Sequence, residues 1–353
     1  MQALECHSSR DLECVLPSAR AHTARCRSSQ HAVRVYALLF PLCALAFGSV
    51  ASAEAPCEAY AKWQEQAGLS GACPRPLSTE SARGVALGTG ARATSVSTSA
   101  LAYSPAGLAV GKMYHLEGVV DYMPDLKTVA LGGAVVDSST SRLAAGLSLR
   151  GFVSGQGGFG GIDGRLGLGF PLTNSVSIGV AGRYVSATRD LPTPNVPDAA
   201  NGGEMPLPAP ESARKVKGFT LDASLRISPV PSVTLALLSY NLINLDSVYA
   251  PLTLGGGLGI ALGSIGVLGG DVLVDLTSYE KANPTIGVGG EIFAGQAVPF
   301  RAGYSYDVKR TQHTLSVGLG YTDRSVGLDI SLRQDLGGAG DTRIIGAFRA
   351  YVQ

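Results

Sequence analysis

The chain has 353 residues, of which 46 are glycine and 16% are charged, and its formal net charge is +1 at pH 7. Glycine is about twice as frequent as in an average soluble protein, and charged residues are scarcer. A near-zero net charge, with no cluster of Lys and Arg interleaved with aromatic residues, excludes a nucleic-acid-binding surface.

The N-terminal unit, residues 1–53, is predicted to be a leader and signal peptide. The apolar run YALLFPLCALAFGSV (36–50) follows Arg34 and precedes an Ala-Ser-Ala end at 51–53. A basic flank, a short apolar centre and an A-x-A end are typical of a secretory signal, so cleavage is expected after Ala53. Residues 1–32 are long for such a signal, and we interpret them as an upstream start site or as a leader removed with it.

Residues 54–80 are predicted to form a short helix, stapled by a disulfide, on the periplasmic side. Cys57 and Cys73 are the two cysteines that follow Ala53, and a bridge between them would close a loop worth about 3 kcal/mol in an oxidising compartment. The enclosed EAYAKWQEQAG (58–68) has good helix formers and a glycine stop. A metal pair is the alternative, which the lack of a nearby His or third Cys disfavours.

The next unit, residues 81–112, is rich in small residues and has no period of 2 or 3.6. Its sequence from 81 to 111 is SARGVALGTGARATSVSTSALAYSPAGLAVG. It precedes a long series of short alternating segments, and small side chains suit dense packing. We therefore predict a plug that packs inside the structure formed by those segments.

From Met113 onward the hydrophobic period is 2, which is typical of strands with one apolar and one polar face. Between Phe219 and Ile227, for example, apolar residues alternate with Thr, Asp, Ser and Arg. The polar phase is predicted to line a wet lumen in which carboxylates pair with arginines. Its candidate charges are Glu117, Asp222, Arg226, Asp271, Asp275, Glu291, Arg301, Asp329 and Arg333.

Residues 113–353 contain fourteen candidate strands of about ten residues, the length that a tilted strand needs to cross a bilayer. They are 113–122, 126–136, 141–151, 162–170, 175–186, 217–228, 232–244, 252–262, 265–277, 284–293, 298–306, 312–322, 325–333 and 342–352. The pattern predicts an all-β fold, a fourteen-stranded antiparallel transmembrane β-barrel with the N-terminal plug in its lumen. A soluble sandwich is the alternative, but it would leave edge strands to protect.

The connections support the barrel, because those after even-numbered strands are short and the long ones fall at the other end. Residues 137–140 and 229–231 are examples of short turns, whereas the Pro-rich stretch 187–216 is the longest connection. Outer-membrane barrels sort their loops in this way, with the short turns facing the periplasm.

Two sets of residues resemble a known family. The segment 100–109, ALAYSPAGLA, resembles the "NPAGL" hatch signature of FadL-type outer-membrane transporters, with Ser104 where that family usually has asparagine. The second half resembles the related PorV-type barrels in the pieces 218–222, 239–242, 287–291, 300–304, 318–321, 327–329 and 341–343. The pieces keep the family's order across roughly residues 81–353.

The resemblance implies passive uptake of hydrophobic small molecules across the bacterial outer membrane, with outer-membrane lipid around the barrel and a hatch in its lumen. The hatch residues expected to line an apolar ligand pocket are Leu101, Tyr103, Ser104, Pro105, Ala106, Leu108 and Val110. Alternatives are a PorV-like barrel that binds a surface or periplasmic protein partner, or a plain porin. No nucleophile motif, metal cluster or phosphate loop stands out, so no enzyme activity, cofactor or metal is predicted.

Overall fold

A computed structural model describes residues 54–352, apart from 156, 199–200 and 338–340. The predicted leader and signal peptide, residues 1–53, lie outside the described residues.

Short helices precede the strands in the chain. Helix α1 spans Pro56–Gln66, α2 Ala82–Ala86 and α3 Ser97–Tyr103, and a 3-10 helix spans Pro105–Ala109. Helix α4, Glu211–Arg214, lies in a later loop. None of the described helices has the length and apolar character needed to cross a membrane.

The strands are β1 Tyr114–Met123, β2 Thr128–Asp137, β3 Ala144–Ser154, β4 Phe159–Pro171, β5 Val176–Arg189, β6 Asn195–Pro197, β7 Glu204–Pro206, β8 Lys215–Val230, β9 Val233–Tyr240, β10 Thr253–Ala261, β11 Gly266–Asp275, β12 Asn283–Ala294, β13 Val298–Asp307, β14 Gln312–Thr322, β15 Val326–Leu336 and β16 Thr342–Val352.

Fourteen of these strands close into one antiparallel barrel in which β1 pairs with β16, while β6 and β7 form a separate hairpin. The predicted fourteen-stranded barrel is confirmed, and the sandwich alternative is wrong because the sheet has no edge. Strand β9 ends at Tyr240, four residues before the predicted limit. There Asn241 has a positive φ of 54°, and its N–H donates to the Asp222 side chain (2.9 Å) instead of continuing the ladder.

The barrel has an apolar outer face and a polar inner face. On β8, Leu221 is 39% exposed whereas its neighbour Asp222 is 1% exposed, and the same alternation recurs around the barrel. The exposed aliphatic side chains form a continuous belt, and hydrocarbon rather than water suits such a surface. Because the barrel is closed, the backbone N–H and C=O groups of its strands can hydrogen-bond within the sheet. The hydrocarbon core of a bilayer requires this, since it offers no water as a partner. The strands are therefore the membrane-spanning segments.

The two ends of the barrel differ in their connections. Turns of a few residues join β2 to β3, β4 to β5, β8 to β9 and the later even-numbered hairpins, and this end is called the short-turn end. The opposite, long-loop end carries the connection from β5 to β8 with its hairpin and helix α4.

Residues 82–109 lie inside the barrel, and one wall receives their backbone on inward-facing glycines. A Cβ added to Gly289 would lie 2.3 Å from the Leu87 carbonyl oxygen, and one added to Gly269 would lie 1.9 Å from that of Gly90. Gly303 would meet Leu87 in the same way, at 2.3 Å. A strand glycine often marks such a close approach of another backbone.

The opposite wall receives the 3-10 helix on a second glycine surface. A Cβ at Gly179 would lie 2.2 Å from Ala106 N, and one at Gly169 would lie 2.8 Å from Pro105 O. Ala106 N also donates to Ser224 Oγ (2.8 Å), and Ser177 Oγ donates to Ala106 O (3.0 Å). The lumen is thus filled by main chain against main chain, which the small residues of 81–112 and the glycine-rich strands permit together.

Alanine substitutions at two adjacent glycines of β12 compare a position on the inner face of the barrel with one on the outer face. Gly289→Ala is expected to destabilise the protein by about 1–3 kcal/mol, because its methyl group meets rigid backbone. Gly290→Ala should change stability by less than about 0.5 kcal/mol, because its methyl group faces outward and meets the mobile end of Leu268. Thermal unfolding in detergent measures both. Equal losses in the two variants would contradict the glycine-on-backbone packing.

Candidate functional site

The N-terminal segment begins at the long-loop end of the barrel. Cys57 N donates to Ser278 O (2.9 Å) in the β11–β12 loop, and Leu77 N donates to Tyr249 O (2.9 Å) in the β9–β10 loop. At the other extreme, Ser138 Oγ in a short turn donates to Gly111 O (2.5 Å). Residues 54–112 therefore traverse the barrel from the long-loop end to the short-turn end.

This course places residues 54–80 relative to the two ends of the barrel. Strand β1 starts at the short-turn end, so a segment that fills the lumen just before β1 must enter from the opposite end. The stapled helix lies with the long loops, away from the short turns that were expected to face the periplasm. The stapled helix and the short turns lie at opposite ends of the barrel, so the two placements expected on the periplasmic side cannot both hold.

Charged side chains fasten the segment to the barrel wall. Arg83 donates to Glu291 (3.1 Å), and the Arg92 backbone N–H donates to Asp271 (3.0 Å). Glu80 accepts from Arg333 and Arg343, each at 2.7 Å. Burial by itself would raise the pKa of Glu80, but the two guanidinium groups lower it to about 2, so the carboxylate stays ionised.

The predicted lumen charges form connected networks with arginines. Arg301 bridges Glu291 and Asp329, and Arg349 joins Asp329 to Glu117. A second network links Asp222 to Arg165 (3.1 Å), then to Asp163 and Arg183. Asp275 instead accepts the Thr277 and Ser278 N–H groups at a turn. Arg226 makes no ion pair among the described residues.

The segment's own anchors were absent from the sequence-based candidates, as were Asp121 and Asp163. Arg83 and Arg92 are charges in a stretch of otherwise small residues, and this contrast was the signal that could have identified them. Burying an unpaired charge is costly, so a charged residue in a buried segment requires a partner on the wall.

Six of the seven predicted hatch residues are buried in this packing, and none of the seven lines the apolar cavity at the long-loop end. Leu101 and Leu108 contact inward-facing glycines of β4, and the Tyr103 ring lies 5.4 Å from the Arg92 guanidinium carbon. Pro105 and Ala106 rest on Gly179. Ser104, 1% exposed, has no hydrogen-bond partner for its hydroxyl among the described residues. Val110 borders a cavity at the short-turn end.

A cavity of about 310 Å³ with largely apolar walls lies at the long-loop end, between the stapled segment and the strand ends. Its apolar walls come from elements far apart in sequence. They are Tyr60, Leu77, Met123, Leu126, Phe152, Phe159 and Tyr249. Phe159 packs edge-on against Phe152 and Tyr249, with ring centroids 5.9 and 4.8 Å apart. A concave lining of this size with four aromatic side chains suits a small hydrophobic ligand.

Charged groups also line this cavity. They are Arg75, Arg189, Arg333, Asp341 and Arg343, of which Arg333 and Arg343 are held by Glu80. Burial raises the pKa of Tyr249 to about 12, so its phenol is neutral and donates to Ala213 O (2.6 Å). The aromatic wall is therefore uncharged at neutral pH.

Residues 54–80, called the cap of the cavity, are cross-linked. A disulfide joins Cys57 and Cys73, and Trp63 Nε1 donates to Leu207 O (3.1 Å) in the β5–β8 connection. Arg310 donates to the carbonyl oxygens of Cys73 (3.0 Å) and Pro74 (2.7 Å). The cap is thus fixed both to itself and to two connections at the long-loop end, β5 to β8 and β13 to β14.

A closed barrel with an aliphatic outer belt, paired charges inside and its own N-terminal chain in the lumen defines an outer-membrane-type β-barrel. Solved structures make the fold more specific. The toluene transporter TodX of Pseudomonas putida has a TM-score of 0.55 and 14% identity, covering 79% of this chain and 100% of that one. The toluene transporter TbuX of Ralstonia pickettii has a TM-score of 0.54 and 11% identity, covering 78% and 99%.

A FadL homologue of Pseudomonas aeruginosa is similar at a TM-score of 0.52 and 13% identity, covering 79% of this chain and 99% of that one. The chain therefore has the fold of the FadL-type transporters, in agreement with the hatch resemblance. No family model matches the chain, and no curated protein matches its sequence.

Removing the disulfide should loosen the cap without opening the barrel. In a Cys57→Ser, Cys73→Ser double variant, local opening of residues 54–80 should become easier by about 3 kcal/mol, the loop-closure contribution of such a bridge. Hydrogen exchange read by mass spectrometry should show faster exchange in 54–80 and unchanged exchange in β12 to β14, the internal control. Unchanged protection in 54–80 would contradict the cap's dependence on the disulfide.

Proposed function

We propose that this protein is a bacterial outer-membrane β-barrel for passive transport of hydrophobic small molecules, with residues 81–112 acting as the plug of its lumen. The observation that carries the proposal is the apolar cavity at the long-loop end, which sits directly above the segment packed in the barrel. A ligand bound there would be concentrated beside the segment that must shift for passage.

Three features support this proposal together. The cavity wall includes aromatic and aliphatic side chains, and Phe159 contacts both Phe152 and Tyr249. The fold is similar to those of two toluene transporters. The charged groups inside the barrel are largely paired, so a hydrophobic solute would meet few unsatisfied charges.

The long connection from β5 to β8 takes part in this arrangement. Leu207 accepts the Trp63 indole N–H and Ala213 accepts the Tyr249 hydroxyl, so the loop braces the cap and one cavity wall. This role accounts for its contacts without the protein partner of a PorV-like barrel.

Filling the cavity should block uptake. In Leu126→Trp the larger ring occupies the ligand's space, and uptake of labelled toluene into proteoliposomes should fall about tenfold, equivalent to about 1.4 kcal/mol. Val308→Trp, at an exposed loop position at the same end, is the matched control and should transport like the wild type. Wild-type uptake no faster than in empty liposomes would refute the transport proposal, and equal uptake in both variants would refute the cavity's role.

Weakening the segment's anchors should unplug the lumen. The wild type is expected to carry little ionic current in planar bilayers, whereas Arg83→Gln, Arg92→Gln should show frequent openings, because each loss leaves a wall carboxylate with one cation fewer. Arg324→Gln removes an exposed arginine from a short turn and is the control. A steady open current from the wild type would instead indicate a plain porin.

A further inference from the structure

A second cavity, of about 770 Å³, lies at the short-turn end directly beneath the 105–110 turn. Ala109 and Val110 form part of its wall, together with Lys112, Arg142 and Arg226. Hydroxyl groups of Ser, Thr and neighbouring turn residues supply much of the remaining surface. This composition contrasts with the aromatic cavity at the other end.

The charge of this cavity is one-sided. Its lining holds three cations and no carboxylate. Among the described residues, none of Lys112, Arg142 and Arg226 forms an ion pair, although the arginines higher in the lumen are mostly paired with acids. The carboxylate of Asp137, in the adjoining turn, accepts the N–H groups of Ser139 and Thr140 (both 3.0 Å).

Arg226 is the most informative of the three. Its Nε and Nη1 atoms are buried and have no hydrogen-bond partner among the described residues, and Nη2 reaches Thr234 at only 3.5 Å. Its register partner on β5 is Ser177, whose hydroxyl holds the carbonyl of Ala106. Arg226 is half-buried, and buried N–H donors without an acceptor are costly, so an anion beside this guanidinium would be favoured.

Arg142 is positioned to complete the site from the opposite turn. Its guanidinium carbon lies 5.3 Å from the centre of the Phe170 ring, and Nη2 donates to Pro171 O (3.0 Å). Stacking and one hydrogen bond fix the plane of the group and leave other N–H donors for a ligand. Two guanidinium forks, one ammonium and several hydroxyls are the donors that phosphate oxygens accept best.

We propose that this cavity is a binding site for a phosphate group, and that Arg226 and Arg142 are its principal ligands, with Lys112 adding charge. The phosphate can belong to a free anion or to the headgroup of an anionic lipid. The site does not depend on transport of hydrophobic molecules, because it is built from groups at the other end of the barrel.

Purified full-length protein in a neutral detergent tests the site with two probes. Inorganic phosphate binding is measured by isothermal titration calorimetry, and retention of phosphatidylglycerol against phosphatidylcholine is measured by native mass spectrometry. Arg226→Gln should weaken binding by roughly tenfold or more, the effect of losing a charge-assisted hydrogen bond. Arg324→Gln, which removes the same charge from an exposed turn at the same end, should bind like the wild type.

Each outcome decides the proposal. Arg226-dependent binding of inorganic phosphate supports a free anion, and Arg226-dependent retention of phosphatidylglycerol alone supports a lipid headgroup. If Arg226→Gln fails to fold, as judged by thermal unfolding, the Lys112→Gln, Arg142→Gln variant replaces it with the same expected loss. Binding of neither probe, or equal binding by the site variants and Arg324→Gln, overturns the proposal.

Discussion

The contact on which the rest of this structure depends is main chain against main chain, between the N-terminal segment and the inward-facing glycines of the barrel. Leu87 lies over Gly289 and Gly303, and Ala106 lies over Gly179. A fourteen-stranded barrel is too wide for its own side chains to fill, so the segment supplies the missing core. A Cβ at these wall positions would push the segment away from the strands. The high glycine content of the chain is thus a packing requirement rather than a sign of flexibility.

Buried ion pairs hold the segment in addition to this close packing. The segment carries few charges, and Glu80, Arg83 and Arg92 each meet an opposite charge on the wall. Because both partners are buried, such pairs add modestly to stability but make any other position of the segment costly. Glycine surfaces determine how closely the segment approaches, and the ion pairs determine its register along the lumen.

The course of the segment divides the barrel interior into two chemically different spaces. At the long-loop end, the stapled cap and strand ends border a partly aromatic cavity. At the short-turn end, the 105–110 turn borders a cavity whose three cations form no ion pair within the described part of the chain. The segment packed in the lumen lies between the two cavities.

Period-2 alternation and the sorting of loops by length were enough to determine the barrel, its strand number and most strand limits, because a closed sheet between lipid and water imposes both patterns locally. The resemblance of 100–109 to the hatch signature marked a segment that packs inside the barrel. Only the tertiary structure decided where residues 54–80 lie and which residues form the two cavities. Tyr60, Phe152, Phe159 and Tyr249 come together from separate elements, and Arg226 differs from Arg301 through its neighbours alone. Burial, pairing and cavity walls are properties of contacts between distant segments, which no local pattern encodes.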